Sequence, residues 1–368
     1  IQENARRRLE LNLELARGWI NRAALILSQA SRDKNPEVRG QSAIDSCDEA
    51  IALLEKQSSE FFDPAVYREI SRAITTKGLA LSVLKRKDEA LRVSQNAVVR
   101  FRAARKSAPE NTDARQLLAQ ALADLGVAQY QAEQFKAAEL SLVESEGLLS
   151  NLAEESPSTL LFVKELARVR SMLGLVLQRL GKADLSLEPL RKSQTAFRQL
   201  EDQENYQLAR QNLARALYDV ARKNEKDPRK LLASLKELLI IRRECYAEQT
   251  NRWERMLLGT ELLLTLQATA RAQDDLRLYA DLSTTLEEMF RLAAPSWPGF
   301  IEQLPALSRA IRSDPEQANR YGRQALHILR AQTRTEPLEA FLLEKELAPL
   351  RALPDYSRTL DAMPRPKP

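Results

Sequence analysis

The sequence predicts an all-α fold, a right-handed α-solenoid of stacked helical hairpins, on three observations. Gly78, Gly126 and Gly174 stand 48 residues apart, and twelve residues after each comes a small residue, Ala90, Ala138 or Ser186. Glycine inside a helix costs roughly 1 kcal/mol against alanine, so three in register mark places where a neighbouring helix approaches too closely for a Cβ. Pro109 and Pro157 keep the same spacing, so the turn between hairpins repeats with the packing position. Composition agrees: ten glycines and 5% aromatic residues, with 44% hydrophobic and 29% charged, suit helices around a continuous core.

In chain order, residues 1–62 should form a long-helix hairpin, a helix over 4–29 followed by one holding Ile44, Ala50 and Leu54. Regular repeats then fill 63–202. Asp63 is the expected N-cap with Pro64 in the first helical position. Ile70, Ile74 and Leu81 mark one face of the first helix, and Ala90, Ala97 and Phe101 that of its partner. The next hairpin repeats this with Leu118, Leu122 and Leu125, then Phe135, Ala138, Leu142 and Leu149. A third runs through Leu166, Leu173 and Leu177 to Leu187, Leu190 and Phe197. Divergent repeats follow over 203–294, as helices 206–222, Asp227-Pro228 to Ala247, 252–272 and 274–292. Trp297 plugs the interruption at 295–299. The last hairpin, 300–311 with 315–331, and a capping helix near 338–347 complete residues 295–347. Residues 348–368 read as a C-terminal tail, mobile from Met363 onward.

The net charge of +5 is small for 368 residues and the two signs are interspersed, which argues against attraction of the whole chain to nucleic acid. Arg6 to Arg8, Lys85 to Lys87, 100–106 and 222–230 are basic clusters. Those at 85–87 and 100–106 are expected near helix C-termini, offsetting the helix dipole. The alternative reading is a basic solenoid on nucleic acid or an anionic membrane surface. Cys47 and Cys245 have neither disulfide nor metal spacing and read as buried small hydrophobes. No apolar run is long enough to span a bilayer. Neither a glycine-rich or Walker phosphate loop nor an HRD or DFG motif occurs, so no catalytic residue, cofactor or metal is expected in this chain. His327, in Ala325-Leu326-His327-Ile328-Leu329, reads as a filler at a helix interface. Asp48-Glu49 and Glu287-Glu288 point about 100° apart on a helix and read as solvated faces.

Aligned on the glycines, the middle hairpins resemble tetratricopeptide repeats: Leu125-Gly126 and Leu173-Gly174, then Phe135 or Ala183, then Ala138 or Ser186. Gly78 departs in following Lys77. A tetratricopeptide unit has ~34 residues, so each helix here gains close to two turns. Long repeats of this kind resemble the C-terminal regions of bacterial serine/threonine kinases of the planctomycete type. The likeness runs through Asn4-Ala5-Arg6-Arg7-Arg8-Leu9, residues 67–197, Leu347-Ala348-Pro349-Leu350-Arg351 and Pro354-Asp355-Tyr356. That resemblance implies a covalently joined kinase domain before Ile1, often with a membrane-spanning helix, and so a domain that is cytoplasmic or tethered to a bacterial inner membrane.

The repeat resemblance further implies that the first helix of each hairpin lines a concave groove. The groove would present Arg72, Gln120, Tyr130, Arg168, Gln178, Arg179, Gln211, Arg215 and Tyr218. Arginine forks and tyrosine rings are the side chains enriched at binding hot spots, and the expected partner is a protein or peptide of acidic character. Thr75, Ala123 and Ser171 stand where chaperone-tail-binding relatives use lysine and asparagine, which argues against that ligand. The expected function is a non-catalytic scaffold that regulates or targets a larger signalling protein.

Overall fold

The computed structural model describes residues 2–30, 36–56, 63–293, 297–333 and 335–364. No strand occurs among the described residues, and within each compact unit helices pack against neighbours in chain order, as in an all-α solenoid. The chain divides into two compact units, residues 1–213 and 214–368.

In the first unit α1 (Gln2–Ala30) packs on α2 (Pro36–Glu55), and three hairpins follow. They are α3 (Pro64–Val83) with α4 (Lys87–Ser107), α5 (Thr112–Gln131) with α6 (Phe135–Glu155), and α7 (Leu160–Arg179) with α8 (Ala183–Gln199). Their starts are local. The Asp63 carboxylate accepts from the Ala65 (2.8 Å) and Val66 (3.4 Å) backbone N–H groups, and Asn111, one period on, accepts from Ala114 at 3.0 Å. Each cap satisfies donors that the first helical turn leaves open.

The stops repeat as well. Lys85, Glu133 and Gly181, again 48 apart, take φ of 59°, 62° and 73°. The N–H of the following residue, Arg86, Gln134 or Lys182, then donates back to the carbonyl of Leu81, Gln129 or Leu177. This closure ends the first helix and reverses the chain in one step.

α1 touches α3, α3 touches α5 and α5 touches α7, so the first helices of the hairpins form an inner layer. The second helices form an outer one. Between them runs a core holding Phe101, Leu118, Leu122, Leu142, Leu149, Leu152, Leu166 and Leu173. Two hydroxyls tie the layers at the same period, as Ser145 donates to the Ala119 carbonyl and Ser193 to that of Ala167, both at 2.7 Å.

At Gly126 the expected close contact is a side-chain knob: the Leu142 Cγ lies 2.6 Å from where a Cβ would stand, and Leu190 crowds Gly174 in the same way. Gly78 departs from the expectation. Nothing lies within 4 Å of a Cβ built there, because the residue sixteen positions on, where its sisters have leucine, is Ser94. A serine is too short to reach. The partners Ala90, Ala138 and Ser186 are all buried.

The division between the units falls within α9 (Gln203–Lys223). The second unit continues with α10 (Pro228–Glu248), α11 (Arg252–Asp275) and α12 (Tyr279–Leu292). The repeat register returns here. Arg277, three periods beyond Glu133, has φ 57°, and Thr285 donates to Gln273 (2.9 Å) as Ser141 does to Gln129 (2.8 Å). That turn places the start of α12 at Tyr279 rather than at Asp274.

A 3₁₀ turn (Pro298–Gln303) leads into α13 (Leu304–Ser313), and α14 (Ala318–Arg330) follows. Trp297 packs edge-on against Phe300 at 5.6 Å, while Pro295 lies outside the described residues. The single capping helix expected at 338–347 is instead α15 (Glu336–Leu342) and a 3₁₀ turn (Lys345–Leu347). The expected tail also folds, as α16 (Ala348–Arg351) and α17 (Tyr356–Asp361), with Leu350, Tyr356 and Met363 buried in the core of this unit. Three apolar side chains spread over fourteen residues are enough when α13 and α14 supply the surface they cover. Residues 365–368 lie outside the described part.

Candidate functional site

The inner layer of the first unit presents a connected polar surface built on α3, α5 and α7. Gln116, Gln120 and Asp124 stand one turn apart on α5, so they share a face. Asp124 accepts from the Thr75 hydroxyl of α3 at 2.6 Å and from the Gln120 amide at 2.9 Å. Glu165 of α7 accepts from Gln116 at 3.3 and 3.4 Å. Burial pushes both carboxyls above their ordinary range; the hydrogen bonds from Thr75, Gln120 and Gln116 and the charge of Arg168 only partly offset it.

Arg168 is exposed beside these two carboxylates, and no hydrogen bond or ion pair engages it among the described residues. Its guanidinium lines three hollows that adjoin there. Apolar side chains flank it: Leu79, Leu161 and Leu208, each at least half exposed, line one hollow apiece. Other exposed leucines and valines are spread along the chain, and these three differ in lining concave surface beside Arg168.

The structure sorts the other expected groove residues. Arg72 donates to Glu69 (2.7 Å) and Asn21 (3.1 Å), and Arg17 holds the same buried Glu69 at 2.8 Å, so Arg72 braces α3. Tyr130 packs edge-on against Phe135 at 5.6 Å, and Arg179 lies over that ring at 5.3 Å. Gln178 donates to the Asn212 carbonyl at 3.3 Å, and Gln211 is exposed. Arg215 and Tyr218 belong to the second unit; both are exposed, with Arg242 over the Tyr218 ring at 5.5 Å. Gln120 and Arg168 are therefore the expected residues that line the hollows around Asp124, and Arg72 joins them in the adjoining hollow beside Glu165. Asp124 and Glu165 were not among the expected site residues. The signal for Asp124 was an acid directly before Leu125-Gly126, four residues past Gln120 on the same helix face.

Elsewhere the charged groups are largely committed to partners. Arg86 donates to Glu89 (2.5 Å) and Gln41 (2.7 Å), Arg100 to Glu55, and Arg102 to Glu144 at 2.5 Å. Lys87 opens α4 and so stands at a helix start, not near a C-terminus. Asp48 pairs with Lys77, Glu287 with Arg320 and Glu288 with Arg243, so these three acids are ion-paired between helices, while Glu49 is exposed as expected. His327 is exposed, its ring edge-on to Phe290 at 5.0 Å, because the buried face of α14 is taken by Tyr321, Ala325, Ile328 and Leu329. Burial pushes the Cys47 thiol up to about 12, which leaves it no thiolate at neutral pH. No cluster of metal-ligand type occurs among the described residues, nor any helix long and apolar enough to cross a membrane.

No family model matches the sequence, and no curated protein matches it. Among solved structures it is similar to BtubC (BKLC) from P. vanneervenii, at 12% identity and a TM-score of 0.39, over 68% of this chain and 89% of that one. It is also similar to Nro1, a hypoxic regulator of sterol synthesis and nuclear import adaptor, at 13% identity and a TM-score of 0.30, over 97% and 99%.

Proposed function

We propose that this chain is a non-catalytic scaffold whose inner layer binds an extended segment of another protein. The observation that carries the reading is Arg168, an arginine without a partner among the described residues, set between two hydrogen-bonded carboxylates and flanked by exposed leucines. An extended backbone offers carbonyls to the guanidinium and N–H donors to Asp124 and Glu165, while its side chains cover the leucines. The preference for an acidic ligand narrows accordingly, since an acid must approach Arg168 past two carboxylates.

The test uses twelve-residue peptides selected from a random library on the wild-type chain, followed by fluorescence anisotropy. Arg168→Ala and Leu208→Asp should each lower affinity roughly tenfold to a hundredfold, the scale of one charge-assisted hydrogen bond or one lost apolar contact, with the helical circular dichroism spectrum of the wild type kept. Equal binding by both variants refutes the reading. Nucleic acid is a weaker choice, because Arg86, Arg100 and Arg102 of the basic clusters already hold acidic partners. Attachment to a kinase, as its regulatory or targeting region, is supported by the sequence resemblance alone. A reading frame upstream of Ile1 without a kinase domain removes it.

A further inference from the structure

Two of the three repeat glycines are filled from the outer layer, Gly126 by Leu142 and Gly174 by Leu190. The third is not. Beside Gly78 the place of those leucines falls to Ser94, and an open hollow of about 640 Å³, its mouth included, remains. Gly78, Ala90, Ser94 and Val127 line it together with Asp124 of α5 and Arg168 of α7. The fold has thus made the same socket three times and left one without its own plug, at the point where the polar groups of the inner layer converge.

We propose that this socket receives one leucine-sized aliphatic side chain of the bound peptide segment, and that it sets the specificity of the groove. The inference rests on the peptide-binding reading above. Size is given by the sister sockets, each filled by a leucine side chain against a glycine. Polarity is given by two groups of the lining, where Arg168 can donate to a backbone carbonyl and Asp124 accept from an N–H on either side of the inserted residue. A charged side chain would lose its hydration against Ala90 and Val127.

The decisive variant is Ser94→Leu, which gives the first repeat the plug its sisters carry. Since nothing approaches the Gly78 Cβ position, the variant should fold and melt at a higher temperature than wild type. Affinity for the library-selected peptides should drop roughly tenfold to a hundredfold, as expected for losing the burial of one aliphatic side chain. Those peptides should share one Leu, Ile or Met whose replacement by alanine costs the same on the wild-type chain and nothing further on the variant. The peptide-side arm needs no protein substitution, so it decides the matter even if Ser94→Leu misfolds. Full affinity of Ser94→Leu, or peptides indifferent to alanine at every aliphatic position, overturns the socket. If Arg168→Ala still loses binding in that case the groove stands, whereas indifference to all three changes removes both proposals.

Discussion

Glu133 and Lys85 hold φ near +60°, a left-handed conformation that costs a residue with a Cβ roughly 1 kcal/mol or more and glycine almost nothing. Gly181 occupies the same turn one period later. Glu133→Gly should therefore stabilise the chain by about 0.5 kcal/mol, after the larger unfolded-state entropy of glycine is subtracted, and Gly181→Ala should cost about 1 kcal/mol. Urea denaturation midpoints check both, and a lower midpoint for Glu133→Gly counts against the argument. Asp124 and Glu165 give a prediction about pH. Burial holds their carboxyls above the ordinary 3.8 and 4.5, so the folded chain binds those protons more tightly than the unfolded one. Their contribution to stability is complete below the ordinary values and is lost as pH rises through the raised ones. Asp124→Asn lacks one such group, and its melting temperature should gain on wild type between about pH 4 and pH 7; a loss over that range sinks the assignment.

At the scale of the element, boundaries follow short-range chemistry. Where cap and turn residues were recognisable, as at Asp63-Pro64 and Asp227-Pro228, the expected start of the helix coincides with the observed one. Where the stop was an ordinary residue forced to φ 57°, as at Arg277, the start of α12 shifted by five residues. A left-handed arginine leaves no mark in sequence. Asn111→Ala removes the acceptor for the Ala114 N–H and should cost about 1 kcal/mol, with Asn111→Asp close to neutral. Chemical denaturation distinguishes these outcomes, and equal losses would show that the side chain acts through something other than the cap. The inner-layer site was partly legible: Gln120 and Arg168 came from repeat alignment, but Asp124 and Glu165 acquire their character from burial and from partners on α3 and α5.

For the molecule as a whole, stability in a stack is a sum of hairpins and the interfaces between neighbours. Leu142 is fully buried and fills the socket at Gly126, so Leu142→Ala should cost about 2–5 kcal/mol. Because the contacts run between neighbours, hydrogen exchange should accelerate most in α5 and α6, less in α4 and α7, and little in the second unit. Uniform acceleration along the chain would mean that the units unfold together and that the nearest-neighbour account is wrong.

What the sequence determined alone was whatever recurs every 48 residues or is written in single caps: the all-α class, the hairpins of the centre, and two of the three glycine contacts, at Gly126 and Gly174. Periodicity is a one-dimensional signal, and helices with short-range caps are one-dimensional objects. Tertiary structure decided what depends on the partner across the interface. It decided that Gly78 faces a hollow while Gly126 and Gly174 face leucines, that Arg72 is held by Glu69 while Arg168 has no hydrogen-bonding or ion-pair partner among the described residues, and that residues 348–364 fold because α13 and α14 offer them a surface. A side chain's environment is set by residues distant in the chain, and no local pattern encodes their distance.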